Sequence, residues 1–249
     1  MSRDSSEGTT ASGPAERTVR DERRLSPMRR TIAERLGESY REAVHVTLHR
    51  EVRADPLLDV VEGTPEGDPG VSLLDPLLLA VSETLAAHPA FNATFDDDTH
   101  RLYEEHNVAI AVAIEAGLVT PVLADVGSMS LSTVASERRR VTDLVQSGDY
   151  SMSDLRGGTF TVSNLGPLGV DSFTPIINPP QVAILGVGRT RERAIRPAEG
   201  SPEAVGFEQR LSLDLVIDHR VVDGADGARF LETLAGHVED VDSLVEERT

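Results

Sequence analysis

The segment from Asp218 to Gly224 combines side chains that proton-transfer chemistry needs. It reads DHRVVDG and follows an apolar run, Leu211 to Ile217. A histidine at a strand end is held by the sheet, and its imidazole titrates near neutral pH, so His219 can take a proton from a thiol and return it. Asp223, four residues later, can orient neighbouring groups or pair with an arginine. Taken alone, a His-x-x-x-Asp pattern is weak, because the same pair also occurs in structural settings.

A second segment, GGTFTVSNLG at 157–166, brings a hydroxyl group to the end of a predicted strand. Ser163 at this place could donate a hydrogen bond to an oxyanion at the rim of a site. The alternative is an ordinary strand that runs into a glycine turn, and the residues alone leave both interpretations open.

Hydrophobic periodicity predicts the elements that carry these residues. Helices are expected from the Ser26 cap onward, over Pro76–Ala87, after the Ser130 cap and over Ala225–Val238. Strands are expected at 44–48, 108–114, 118–123, 159–162, 182–187 and 211–217, with a hairpin around Asp96–Asp98 and a loop with a short helical turn at 54–71. This mixture, without strict alternation, predicts an α+β fold, a two-layer sandwich with a central mixed β-sheet and helices packed on it. Residues 1–24 are expected to form a polar disordered tail, and 25–249 a single domain.

The composition excludes several classes of protein. The 249 residues contain no cysteine, so disulfides, zinc–thiolate sites and cysteine nucleophiles are excluded. A net charge of −18 argues against nucleic acid as a partner. No apolar run suits a membrane span and no secretory signal is present, so a cytoplasmic location is expected. The chain contains no lysine, and its acidic surface suits a salt-rich cytoplasm or, alternatively, a basic partner.

Five segments in order resemble the catalytic domain family of dihydrolipoamide acyltransferases, the E2 components of 2-oxoacid dehydrogenase complexes. They are SPMRRTIAERL near residue 30, GLVTPVLADV near residue 120, GGTFTVSNLG, FTPIINPPQVAILGVG (173–188) and DHRVVDG. The resemblance runs from about Leu25 to near the carboxyl end, and it implies a fold like that of chloramphenicol acetyltransferase.

The resemblance also implies roles for the candidate catalytic residues. His219 would be the general base that deprotonates the thiol of coenzyme A, and Ser163 would donate a hydrogen bond to the tetrahedral oxyanion. Asp223 would order the site by pairing with an arginine, for which Arg29 and Arg30 are candidates. Neighbouring subunits of a homotrimer would supply His219 and Ser163, and trimers could build a larger cubic or dodecahedral core. The residues that bind coenzyme A are left unassigned, and no metal is expected.

The chain departs from complete members of this family, which carry a lipoyl domain and a domain that binds the other enzymes. Neither is expected here, and a chain without lysine cannot carry its own lipoyl group. The lipoyl carrier is therefore expected to be a separate protein, with the E1 and E3 enzymes as further partners. The stretch Ala54–Gly70 is also shorter and more acidic than the resemblance leads us to expect.

Two other functions stay open from the sequence. The chain could be a non-catalytic oligomeric scaffold of such a complex. It could also be a coenzyme A-dependent acyltransferase that acts on a small-molecule acceptor, as chloramphenicol acetyltransferase does. The six remaining histidines are predicted to be structural or surface residues, since no constellation surrounds them: His45, His49, His88, His100, His106 and His237.

Overall fold

The computed structural model describes residues 17–64, 70–196 and 205–248. The helices are α1 (Pro27–Glu42), α2 (Asp55–Glu62), α3 (Leu74–Ala87), α4 (Leu131–Ser147), α5 (Gly224–Glu239) and α6 (Val241–Glu247). The strands are β1 (His45–Arg53), β2 (Ala93–Asp96), β3 (Thr99–Leu102), β4 (Val108–Ile110), β5 (Val112–Ile114), β6 (Gly117–Val119), β7 (Val122–Leu123), β8 (Phe160–Asn164), β9 (Ala183–Ile195) and β10 (Gly206–Asp218). Of the predicted tail, residues 1–16 lie outside the described part, and 17–24 contain no helix or strand.

A six-stranded mixed sheet forms the centre of the molecule, in the order β1-β10-β9-β8-β4-β7. The pairs β1/β10, β10/β9 and β4/β7 are antiparallel, and β9/β8 and β8/β4 are parallel. Two small hairpins, β2–β3 and β5–β6, flank it. The predicted α+β fold with a central mixed sheet is confirmed.

The two faces of the sheet differ in chemistry because side chains alternate along each strand. On β10, Leu213, Leu215 and Ile217 are fully buried in the main core, which also holds side chains of α3 and α5. Helix α5 approaches closely at Gly227, where a Cβ atom would lie 2.9 Å from Leu48 Cδ1. The opposite face carries Ser163, and we call it the Ser163 face.

Local signals explain where the helices begin and end. The Ser26 hydroxyl accepts a hydrogen bond from the Arg29 N–H at 3.2 Å, and Pro27 occupies the first helical position of α1. Ser130 caps α4 in the same way, and Gly148 ends it in the left-handed conformation with φ 83°. Both predicted caps are confirmed. No helix in the described ranges is long and apolar enough to cross a bilayer.

The structure corrects three boundaries. The single strand predicted over 108–114 is divided, because β4 pairs with β8 and β7 whereas β5 forms a hairpin with β6. Strands β9 and β10 extend far beyond the predicted apolar runs into charged residues, and Arg193 on β9 reaches across β10 to Glu51 on β1 at 2.8 Å. The loop expected at 54–71 contains helix α2, which buries Leu57 and Val60.

A half-buried histidine makes stability depend on pH. The His106 ring nitrogen Nδ1 lies 2.8 Å from the Ser82 hydroxyl on α3. Burial lowers the pKa of His106 by more than the nearby carboxylates of Asp125 and Glu83 raise it. The unfolded chain therefore binds a proton on His106 at a pH where the folded chain does not. The stability that depends on a neutral His106 is complete above pH ~6.5, and it is lost as the pH falls below that value.

We predict that His106→Gln weakens the dependence of stability on pH between about 7.5 and 5.5, the range in which a histidine of the unfolded chain titrates. Glutamine keeps an acceptor for the Ser82 hydroxyl and cannot gain the buried charge. The measurement is urea unfolding at both pH values in one salt concentration. An unchanged pH dependence in the variant would show that the protonation of His106 is not coupled to folding.

Candidate active site

The backbone around His219 is held from several directions. Strand β10 ends at Asp218 and α5 begins at Gly224, so His219 lies in the short turn between them. Its N–H donates to the Val44 carbonyl at 2.9 Å, which ties the turn to the start of β1. About two-fifths of the side chain is exposed (40%), so the imidazole is accessible while its backbone is fixed.

The carboxylate of Asp218 organises this turn. It is 2% exposed and accepts Arg220 Nη2 at 2.6 Å, Arg220 Nε at 3.0 Å and the Val44 N–H at 3.2 Å. Burial by itself raises the pKa of Asp218, but the hydrogen bonds from Arg220 and Val44 outweigh it and lower the pKa overall. The guanidinium of Arg220 also lies 4.8 Å from the centre of the Phe95 ring. The residues on both sides of His219 are thus locked together.

Asp223 lies beside His219, with Oδ1 3.6 Å from Nδ1 of the imidazole. It is the cap residue of α5, and its N–H donates to the Asp226 carboxylate at 3.2 Å. The expected pair between Asp223 and an arginine is not formed within the described part of one chain. The arginine of the motif, Arg220, is engaged by the buried Asp218 instead, whose charge needs compensation.

The candidate Arg29 lies elsewhere. Its guanidinium packs near Gly117, where a Cβ atom would be 3.5 Å from the guanidinium carbon. The Arg29 side chain of α1 therefore packs against the β5–β6 hairpin, and it forms no ion pair with Asp223 of the same chain. Arg30 is exposed on α1.

Ser163 occupies a defined position on the sheet. It is on β8, is 8% exposed, and is paired in register with Gly186 on β9. Gly186 is paired with Asp214 on β10, and Asp214 with His49 on β1. These four residues form one row across the Ser163 face.

Within one chain, Ser163 and His219 lie far apart. His219 lies five positions beyond Asp214, so it is roughly 16 Å from the row along the strand direction. Two strand spacings, about 10 Å, separate Ser163 from Asp214 across the sheet. The Ser163 hydroxyl and the His219 imidazole are therefore on separate parts of the same chain.

The sequence interpretation missed the pair of His49 and Asp214. His49 was expected to have no constellation around it, but its Nδ1 lies 2.6 Å from Oδ1 of Asp214, which is fully buried. The partners are far apart in the chain, and the register of β1 on β10 brings them together. The available signal was the aspartate itself, a charged residue inside the apolar run of β10.

A cavity of about 240 Å³ opens next to the Asp218–Arg220 pair, between α1 and the segment 177–181. Arg35 and Arg220 line it together with the carboxylates of Glu38, Glu42 and Asp96. The carboxylates make this cavity unfavourable for the phosphates of coenzyme A. Among the described residues, no group of three or more acidic or histidine side chains could hold a metal ion.

Solved structures with the same architecture define the class of fold. A chloramphenicol acetyltransferase, 17% identical, superposes with a TM-score of 0.53 over 84% of this chain and 93% of that one, which shows a common fold. The dihydrolipoamide acetyltransferase of Azotobacter vinelandii is 27% identical, with a TM-score of 0.84 over 93% of this chain and 99% of that one. That structure was determined to investigate a serine, a histidine and an asparagine four positions later in its catalytic mechanism.

The sequence comparison gives the family. Residues 18–246 match the family of 2-oxoacid dehydrogenases acyltransferase (catalytic domain), and the chain belongs to this family. A relative from Rickettsia bellii, the dihydrolipoyllysine-residue acetyltransferase component of the pyruvate dehydrogenase complex, is 37% identical over 88% of this chain. The chain spans about half the length of such relatives, 53% of that protein and 42% of an Arabidopsis thaliana counterpart that is 34% identical. The family and fold expected from the five segments are confirmed.

We predict that Arg220→Gln destabilises the fold by about 2 kcal/mol, less than the full cost of an unpaired buried charge because part of Arg220 is exposed. The reason is that the Asp218 carboxylate would stay buried with its main partner removed. The double variant Asp218→Asn/Arg220→Gln should recover part of the loss. Urea unfolding at pH 7 measures each variant, and equal losses in the single and double variants would contradict this account.

Proposed function

We propose that the chain is the catalytic core of an acyltransferase that moves an acyl group between a dihydrolipoyl thiol and coenzyme A. The observation that carries the proposal is the accessible His219 on a rigid turn beside Asp223, in a chain of this family. The relatives named above are acetyltransferase components of pyruvate dehydrogenase complexes, and we propose acetyl as the acyl group.

The geometry of the imidazole suggests how the proton moves. Nδ1 faces the Asp223 carboxylate, which favours a proton on Nδ1 and leaves Nε2 as the base. Nε2 takes the proton of the coenzyme A thiol, and the thiolate attacks the carbonyl carbon of the acyl-lipoyl thioester. The tetrahedral intermediate expels the lipoyl thiolate, which receives the same proton back from Nε2. The position four residues after His219 is an aspartate here and an asparagine in the Azotobacter vinelandii enzyme.

The oxyanion of the intermediate is proposed to be stabilised by Ser163 of a neighbouring copy. The separation of Ser163 and His219 along the sheet supports this arrangement, since a site with both groups needs two chains. A head-to-tail ring of three copies would build identical sites at its interfaces. One structural relative is the cubic core of a pyruvate dehydrogenase complex, with a TM-score of 0.81, and we propose a larger cubic or dodecahedral assembly here as well.

We propose that the lipoyl group is carried outside these 249 residues. Lipoyl attachment requires a lysine amine, and this chain contains no lysine. The carrier would also connect the core to E1 and E3 partners. Of the alternatives, a scaffold without activity gives no reason for the accessible His219, and the small-molecule acyltransferase shares only the fold at 17% identity.

We also propose that the protein works in a salt-rich cytoplasm. Its net charge of −18 and the use of arginine for every strongly basic residue support this environment. At 1 M salt the Debye length is only ~3 Å, so repulsion between the acidic surface and anionic coenzyme A would be screened.

We predict that the protein transfers acetyl from acetyl-CoA to free dihydrolipoamide in multimolar KCl, and that His219→Ala lowers kcat roughly a thousandfold. Free dihydrolipoamide replaces the lipoyl carrier, and high salt screens the repulsion within the acidic chain. His100→Ala is the matched control, because the His100 ring hydrogen-bonds the Ala90 carbonyl and has no part in the proposed proton transfer, so this variant should leave the rate unchanged. A folded, oligomeric wild-type protein without transfer would favour the scaffold.

We predict that two inactive variants complement each other when they are assembled together. His219→Ala and Ser163→Ala are each expected to be impaired, but a random mixture of both should recover about a quarter of the wild-type sites in a head-to-tail ring. The measurement is the transfer rate after joint refolding at equal amounts. A mixture no more active than its separate components would contradict a site shared between copies.

A further inference from the structure

Three arginines lie directly opposite one another across the strands of the long antiparallel ladder. Arg210 on β10 is paired in register with Arg53 on β1 and with Arg191 on β9. We call these three residues the arginine row. Like charges opposite one another in a sheet repel and lower its stability, so the row is unfavourable for folding by itself. The proton transfer proposed above does not use it.

The arginine row lies on the Ser163 face. Side chains of β10 alternate between the two faces, and Leu211, next to Arg210, is buried in the core on the opposite face. Arg210 is four residues from Asp214, which belongs to the row that contains Ser163, and this is about 13 Å along the strand. A molecule seated on the arginine row therefore borders the same space in front of the sheet as the Ser163 hydroxyl.

The guanidinium groups of the arginine row are accessible. The exposed fraction of the side chain is 49% for Arg53, 32% for Arg210 and 29% for Arg191. Each of the three has a carboxylate partner on the same chain. A guanidinium carries five N–H donors, so it can hold one carboxylate and still donate to a second.

Positive charge exceeds negative charge at this end of the ladder, although the whole chain has a net charge of −18. The arginines here are Arg53, Arg189, Arg191, Arg193 and Arg210, and the carboxylates paired with them are Glu51, Asp55, Asp171 and Glu208. The surface therefore favours an acidic partner more than the rest of the chain does.

We propose that the arginine row is the docking surface for the domain that carries the lipoyl group, and that this domain presents carboxylates to the row. The proposal rests on the acyl-transfer function proposed above, and it adds the surface that positions the acyl carrier. The carrier must bring its thiol to Ser163 through the space in front of the Ser163 face, which the arginine row borders. Guanidinium groups pair with carboxylates there by charge-assisted hydrogen bonds.

The spacing of the arginine row suits side-chain carboxylates better than the phosphates of coenzyme A. Arg53 and Arg191 are two strand spacings apart, about 10 Å, which is wider than a phosphate group. Glu208 lies 2.5 Å from Arg210 and Glu51 lies 3.5 Å from Arg191, so a doubly charged phosphate would be repelled. Carboxylates spread over a protein surface can each pair with one guanidinium.

Direct pairs also suit the salt-rich cytoplasm proposed above. At 1 M salt the Debye length is only ~3 Å, so attraction over longer distances is screened. Hydrogen-bonded ion pairs, at about 2.8 Å, are short enough to persist. Docking therefore depends on contact between the two surfaces rather than on long-range steering.

The experiment compares two dihydrolipoyl peptides as acceptors of acetyl from acetyl-CoA, with the assembled protein at about 1 M KCl. Both peptides carry the dihydrolipoyl group on a single lysine. The flanking residues are aspartate and glutamate in the acidic peptide, and asparagine and glutamine in the neutral one. The wild-type protein should prefer the acidic peptide about tenfold in kcat/KM, through a lower KM, because a few exposed ion pairs together give about that factor.

Substitutions in the arginine row test its part in this preference. Arg191→Gln/Arg210→Gln should bring the rate with the acidic peptide down to that with the neutral peptide. Arg191→Lys/Arg210→Lys keeps both charges and should keep most of the preference. Arg23→Gln/Arg140→Gln is the matched control, because it removes two exposed arginines from outside the ladder and should keep the full preference. A merely structural role would lower the rates with both peptides alike.

Binding gives a readout that needs no catalysis. A fluorescent acidic peptide without the lipoyl group should bind the wild-type protein, as measured by anisotropy. Its affinity should fall in Arg191→Gln/Arg210→Gln and not in Arg23→Gln/Arg140→Gln. Equal affinity for both variants would contradict docking on the arginine row.

The kinetic outcomes separate the alternatives. An unchanged preference in Arg191→Gln/Arg210→Gln would overturn the proposal. A raised KM for acetyl-CoA, but not for acetyl-pantetheine, would assign the arginine row to the phosphates of coenzyme A instead. Dissociation of the oligomer would assign it to contact between copies, which would also overturn docking. A wild-type protein without any transfer would overturn the proposed function, whereas the anisotropy measurement would still decide the docking surface.

Discussion

The antiparallel ladder between β1, β10 and β9 is the constraint on which the site depends. Its register directs Leu213, Leu215 and Ile217 into the core, and therefore turns every even-numbered residue of β10 toward the Ser163 face. A shift of one residue would exchange these two sets, so burial of the apolar set fixes the register. Because β10 ends one residue before His219, the same register also fixes where the His219 imidazole emerges from the sheet.

Two aspartates on β10 are buried on the same face of the sheet, and different kinds of partner offset the cost of burying each carboxylate. Asp218 is compensated by an arginine two positions later, so its partner belongs to the local turn. Asp214 accepts hydrogen bonds from His49 on another strand and from the segment at 172–173, so its partners are distant in the chain. The first arrangement stiffens a turn, and the second joins separate parts of the fold. In both cases the cost of a buried charge is offset only while the surrounding geometry is intact.

Local signals allowed much of this structure to be predicted. The caps Ser26 and Ser130 start helices because a hydroxyl satisfies a free backbone N–H at any helix start. The alternation within 211–217 and the motif at 218–224 located the turn that carries His219. The Asp214–His49 pair could not be predicted, because it exists only once the pairing and register of β1 and β10 are known. The long charged ends of β9 and β10 were missed for a related reason, since cross-strand pairs rather than apolar periodicity support them.

Because Ser163 and His219 lie far apart along the sheet, a defect in one copy would affect the sites of its neighbours. In the proposed ring, every chain offers its base to one neighbour and its hydroxyl to the other. A copy that has lost only one of these groups disables the interface on one side, whereas a copy that has lost both disables the interfaces on both of its sides. A defective chain that still assembles would therefore inactivate sites that it shares with intact copies. A defective chain that cannot assemble would leave the sites of the intact copies active.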